Sequence, residues 1–145
     1  MYDHVLLPTD GSEGSTTVAE HAGTIARQND ATVHMLSVVD TRNRFESPSS
    51  GIAPDAWEDA EHDRAAEAIE ETAAALPEDV DVERVVESGV PHAELLDYAE
   101  RSPVDLVVMG THGRTGVEHY LIGSVAERVV RESPVPVLTV RLEES

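Results

Sequence analysis

The chain has 145 residues, no cysteine, 3% aromatics, and 29 Asp+Glu against 10 Lys+Arg, a formal net charge of −19. That length supports one domain, 1–145, with a core built from Val, Leu, Ile and Ala, and it leaves no disulfide framework, thiolate chemistry or cysteine metal site. All ten cations are arginine, and so acidic a chain is no general binder of nucleic acid or anionic membrane, both of which require clustered positive charge.

Strand and helix signals alternate along the chain. Val5-Leu6-Leu7 is a short, continuously apolar strand. Ser15 to Gln28 predicts a helix with Val18, Ala22, Ile25 and Ala26 on one face, and Ala31 to Val39 predicts a second strand. Asp40 to Asp55 has no periodic face and contains Ser47-Pro48-Ser49-Ser50-Gly51; it is either a mobile loop at a crevice mouth or a plain surface insertion. Ala56 to Leu76 predicts a long helix, with Ala65, Ile69, Thr72, Ala73 and Leu76 at helical spacing. Its carboxylates from Glu58 to Glu71 form a solvated acidic face. Val80 to Val86 opens with the alternation expected of an edge strand, and Pro91 to Arg101 predicts a helix with proline in its first turn. Val104 to Met109 and Val135 to Arg141 complete the strands, and a helix with Ile122, Val125, Ala126 and Val129 inward lies between them. Asp97–Arg101 and Glu127–Arg131 are spaced as i,i+4 ion pairs.

Strands separated by helices imply right-handed crossovers and an α/β fold, an open five-stranded parallel sheet with helices on both faces. The first and fourth strands, continuously apolar, belong at the centre; strands that alternate or carry Pro136 belong at the edges. The order 3-2-1-4-5 follows. In such a sheet a ligand crevice opens at the carboxyl ends of the strands where the order reverses, here between the first and the fourth. The loops at that point begin at Pro8-Thr9-Asp10 and at Gly110.

Met109-Gly110-Thr111-His112-Gly113 follows the fourth strand, and Gly123-Ser124 precedes the next helix. Two residues separate Gly110 from Gly113, and nine separate Gly113 from Gly123. Bare backbone N–H groups beside a helix N-terminus suit a phosphate. Each glycine alone could be a turn residue, and Ser124 could be a helix N-cap that also serves a phosphate. Arg114, one of few cations, falls inside this loop and suits the same anion. No Walker A loop or Gly-x-Gly-x-x-Gly fingerprint is present.

The glycine spacing resembles the nucleotide-binding signature of the universal stress protein family, in its ATP-binding branch. So do Asp3 to Ser12, Ser37 to Asp40, Gly89 to Leu96 and Ser133 to Val140, in the same order along the chain. The resemblance implies a Rossmann-like fold, close to the adenine nucleotide alpha hydrolases, with the same strand order. It also implies ATP as ligand: Asp10 toward adenine and ribose, the Val38 backbone at adenine, and Pro8, Thr9 and Met109 walling the base. Gly110, Gly113, Arg114, Gly123, Ser124 and the Val125 N–H would lie at the phosphates. His112 and His119 span the loop without pre-set metal geometry, so any Mg²⁺ or Mn²⁺ is expected to be carried by the phosphates.

No Gly-x-Ser-x-Gly elbow and no evident general base for γ-phosphate hydrolysis occur. An ATP-binding regulator of the stress response with little hydrolysis is therefore expected. The alternatives are a slow ATPase or ligase-type enzyme, and an interaction module without nucleotide. The acidity suggests a halophilic cytoplasm, since at about 1 M salt the Debye length falls to roughly 3 Å and only local donors matter to an anionic ligand. With no apolar run long enough to span a bilayer and no signal peptide at the start, a soluble cytoplasmic protein is expected. The last strand, with Val135, Val137, Leu138 and Val140, is an apolar edge that a homodimer through Val135–Arg141 would cover.

Overall fold

The computed structural model describes residues 1–12, 14–41, 54–111 and 124–142. Among them the elements run β1 (His4–Pro8), α1 (Ser15–Asn29), β2 (Thr32–Asp40), α2 (Pro54–Ala73), β3 (Val82–Gly89), α3 (Pro91–Arg101), β4 (Leu106–Gly110), α4 (Ser124–Glu132) and β5 (Val137–Val140). The sheet has five strands in the order β3-β2-β1-β4-β5, and every neighbouring pair is parallel. The fold class, the strand order and the central position of β1 and β4 are as the sequence predicts.

Side chains alternate across the sheet, so each strand feeds two cores. Val5, Leu7, Val33, Met35 and Val108 join Val18, Ala19, Ala22 and Ala26 of α1 and Ile69 of α2 on one face. Leu6, Leu36, Val107 and Met109 join Leu95, Tyr98 and Ala99 of α3 and Ala126 and Val129 of α4 on the other. Leu6 and Leu7, neighbours in sequence, are both fully buried on opposite faces. Each contributes about 2 kcal/mol by removal from water. The alanines of α1 let that helix lie close to the sheet, which the shortage of aromatics requires.

Several boundaries shift by one to three residues, for local reasons. β5 begins at Val137 rather than Val135, because Ser133 draws the chain into a turn: its hydroxyl donates to the Val135 carbonyl at 2.7 Å and accepts the Val135 N–H at 3.1 Å. β3 runs from Val82 to Gly89, its register with β2 continuing to Asp40↔Gly89. Val80 instead closes a turn with its N–H on the Pro77 carbonyl. β4 starts late because the Asp105 carboxylate accepts the N–H groups of Asp3 and His4, at 2.9 and 3.2 Å. Helix α3 matches its predicted bounds, with Pro91 in the first turn, Glu94 near its N-terminus and Arg101 in its last turn. The two i,i+4 pairs form on the surface, Asp97–Arg101 at 2.8 Å and Glu127–Arg131 at 3.3 Å.

One buried polar chain lies in the α3–α4 core. His34 of β2 is 3% exposed. Its Nε2 lies 3.0 Å from His4 Nδ1, and its Nδ1 lies 2.7 Å from the Tyr98 hydroxyl and 3.3 Å from the Glu83 carboxylate. The neutral pair is satisfied when His4 donates to His34 and His34 donates outward from Nδ1. Burial holds the His34 pKa below the usual histidine value; Glu83 partly opposes this and His4 adds to it. Arg101 sits over the Tyr98 ring at 5.1 Å and is itself engaged by Glu87 and Asp97.

The sign of the pH effect follows. Because the folded-state pKa is lowered, the unfolded chain binds the proton first, so stability is present above about pH 6.5 and is lost as pH falls below it. Urea denaturation at pH 7.5 and 5.5 should show the parent losing stability on acidification, and His34→Gln should lose less between the same two points. Equal losses in both proteins would mean that another group governs the response.

Candidate functional site

β1 is hydrogen-bonded to β2 on one side and to β4 on the other. The chain leaves β1 for α1, on one face, and leaves β4 for α4, on the opposite face. The loops diverge, and a crevice opens between their first residues. Pro8, Asp10 and Gly110 flank it, each partly exposed, while Thr9 and Met109 are buried beside them.

The apolar side of the crevice lies on the α3–α4 face. Met109 is a buried member of that cluster, and Val38 and Val125 pack against it from the end of β2 and the start of α4. Three of the expected site residues, far apart in sequence, thus lie in or against one apolar cluster. Ser124 is the first residue of α4 and is exposed. The N–H groups of a first helical turn have no partner within the helix, and Ser124 and Val125 occupy that turn of α4. Gly113, Arg114 and Gly123, with His112 and His119, lie outside the described residues.

The residue before α1 is Gly14, with no side-chain cap bond, and Asp10 folds its own loop by accepting the Ser12 N–H at 2.9 Å. Thr9 turns to the opposite face. Its N–H extends the β1–β2 ladder onto the Leu36 carbonyl at 2.9 Å, and its hydroxyl lies 2.7 Å from Thr72 and 3.2 Å from Ser15. The Gly11 N–H donates to the same oxygen at 3.3 Å. Thr9 therefore contributes a fixed loop path, while Val38 and Met109 contribute apolar surface.

Two glycines owe their identity to close packing. Gly11 has φ +76°, and an added Cβ would stand 3.0 Å from the Ala68 Cβ. At Gly110 an added Cβ would stand 2.8 Å from Leu142 Cδ1 and 3.1 Å from Val18 Cγ2. A side chain at Gly110 would thus have to displace the end of Leu142, apart from any phosphate. Leu142 is a residue that sequence reasoning missed. It folds back after β5 into the α1–α2 core, and its N–H reaches the Thr111 hydroxyl at 3.4 Å. Thr72 was also missed, since its spacing marked only a core position. The signal available in each case was an unexplained partner: a large apolar residue beyond the last strand, and a hydroxyl on an apolar helix face.

A model described as the universal stress protein family matches residues 1–141. Universal stress protein MJ0531 of Methanocaldococcus jannaschii is 38% identical over 146 residues, spanning 97% of this chain and 83% of its own. Universal stress protein MJ0577 of the same organism is 31% identical over 159 residues, spanning 100% and 98%. The solved structure of MJ0577 superposes with a TM-score of 0.86 at 29% identity, covering 100% of this chain and 99% of that one. A universal stress protein solved in complex with cAMP superposes with a TM-score of 0.68 at 27% identity, covering 97% of each chain.

Gly11→Ala tests the loop after β1. A left-handed residue with a Cβ costs about 1–2 kcal/mol, and the contact with Ala68 adds to it. Urea denaturation should show a loss of at least that size, and a variant as stable as the parent would mean that the loop adopts another path.

Proposed function

The chain belongs to the universal stress protein family, and on that premise we propose that it binds ATP in the crevice between β1 and β4 and acts as a nucleotide-dependent regulator with little intrinsic hydrolysis. The observation that supports this is that Asp10 follows β1, while Val38 and Met109 lie at the carboxyl ends of the neighbouring strands β2 and β4, in or against the same apolar cluster as Val125 of α4. The chemistry of the crevice fits such a ligand: half-buried Val38 and buried Met109 offer apolar surface to a base, and the first-turn N–H groups of α4, which have no partner within the helix, suit an anion. The solved relative that holds cAMP supports a nucleotide as the ligand class. The sequence of the glycine loop, with Arg114 inside it, supports a phosphate tail rather than a nucleoside alone. A divalent cation would arrive on those phosphates. We infer from the net charge of −19 that binding needs high salt, which removes the global repulsion of a polyanion.

Calorimetry with ATP in about 1 M salt tests the reading. Gly123→Val should abolish measurable binding, because a β-branched side chain fills the phosphate space. Asp10→Ala should weaken AMP and ATP alike. Arg114→Ala should weaken ATP about tenfold or more, the worth of a charge-assisted hydrogen bond, and AMP less. Parent-like binding by Gly123→Val would end the phosphate-loop reading, and equal losses of AMP and ATP in both other variants would mean the ligand lies elsewhere.

The same reading includes a homodimer on the β5 edge. Leu138 is 38% exposed and Val130 of α4 is 48% exposed, whereas Val140 is 6% exposed and belongs to the core. An apolar strand edge left bare invites pairing with another strand. Leu138→Asp should convert a dimer into a monomer in sedimentation at high salt while leaving the fold intact; the same change at Val140 would unfold the chain instead. A parent that sediments as a monomer at micromolar concentration would rule the dimer out.

A further inference from the structure

Helix α2 carries one hydroxyl on its inner face, at the point where that face meets the loop after β1. Thr72 is 1% exposed. Valine has the same shape and would fill the position equally well, so packing alone does not account for the oxygen. The Thr72 hydroxyl donates to the Ala68 carbonyl at 2.8 Å and lies 2.7 Å from the Thr9 hydroxyl, a pair in which either oxygen can be the donor. The Thr9 hydroxyl also donates to Ser15 Oγ, 3.2 Å away, and its oxygen accepts the Gly11 N–H at 3.3 Å. One helical turn before Thr72, Ala68 meets Gly11 so closely that a Cβ would stand 3.0 Å from its own. The loop is thus seated on α2 at two points one turn apart, one polar and one steric.

We propose that Thr72 is a positioning residue for nucleotide binding: it orients Thr9, and through Thr9 it sets the backbone path of Asp10, Gly11 and Ser12. This rests on the nucleotide reading above. Thr72 touches no ligand in this arrangement; it acts by keeping the Asp10 turn in one conformation before ligand arrives. Pre-ordering a loop in its bound form raises affinity, because less ordering remains to be done on binding. The coupling is reciprocal, so a ligand that holds the loop also holds α2.

Thr72→Val keeps the shape and removes the hydroxyl; Thr72→Ser keeps the hydroxyl. ATP affinity should fall about five- to tenfold in Thr72→Val, the worth of one buried hydrogen bond, and return to within about twofold of the parent in Thr72→Ser. Amide exchange at Gly11, measured without nucleotide, should quicken in the valine variant and not in the serine variant. Should Thr72→Val fold poorly, Thr9→Val removes the other half of the same bond and carries the same expectation. Unchanged Gly11 exchange in the valine variant overturns the proposal, and so does quickened exchange with parent affinity. A parent that binds no ATP overturns the nucleotide reading, and Gly11 exchange then decides by itself whether Thr72 positions the loop.

Discussion

Everything distinctive in this molecule depends on β1 being paired on both sides by parallel strands whose crossovers lie on opposite faces. A parallel neighbour requires the chain to return across the sheet, and a right-handed return places its helix on one face or the other according to direction. From β1 the order runs one way to β2 and β3 and the other way to β4 and β5, with α1 and α2 on one face of the sheet and α3 and α4 on the other. At the carboxyl end of β1 the two sets of loops part. No side chain needs to carve the crevice; the topology leaves it open. What the side chains decide is how firmly its rim is held.

That rim is held differently on the two sides. On the α3–α4 side, Val38, Met109 and Val125 share one apolar cluster, and apolar packing is tolerant of small shifts. On the α1–α2 side the contacts are short and directional: Thr9 to Thr72, Gly11 against Ala68, Gly14 and Gly110 against Leu142. Close backbone approach and hydroxyl bonds permit few alternatives, so this side fixes geometry. A base needs a surface to lie on, and a turn that presents a carboxylate needs a single conformation. The two halves of the crevice match these two demands.

How far the sequence revealed this depended on the kind of signal. Strand order was legible because Val5-Leu6-Leu7 and the apolar stretch before Gly110 could only be buried on both faces, which is possible only at the centre of a parallel sheet. The position of the proposed site is inferred from that same order. The ends of strands were not. Ser133 tying back Val135 and Asp105 holding the N–H groups of Asp3 and His4 are pairings between particular groups, and periodicity does not register them. Leu142 and Thr72 were missed for a related reason. Their roles come from what faces them across the fold, Gly14 and Gly110 in one case and Thr9 in the other. Likewise His34, inside an apolar strand, gave no sign of its partners, because His4, Glu83 and Tyr98 come from three other elements.

Composition and architecture support each other here. With aromatics at 3% of the chain, large side chains cannot bridge wide gaps between helix and sheet. The helices must come close, and they do so on small residues: Ala19, Ala22, Gly23 and Ala26 on α1, Ala65 and Ala68 on α2, Ala99 on α3 and Ala126 on α4 are all buried. Close approach brings helix side chains within hydrogen-bonding reach of loops that follow the strands, which is what lets Thr72 meet Thr9. It also means that the surface can be given over almost wholly to charge. Every arginine ion pair among the described residues is at the surface, where such pairs contribute little to stability. The fold is then held by close-packed small residues, while the acidic exterior repels both itself and an anionic ligand. Salt screens both repulsions at once, so a rise in salt favours the compact chain and the approach of an anion together.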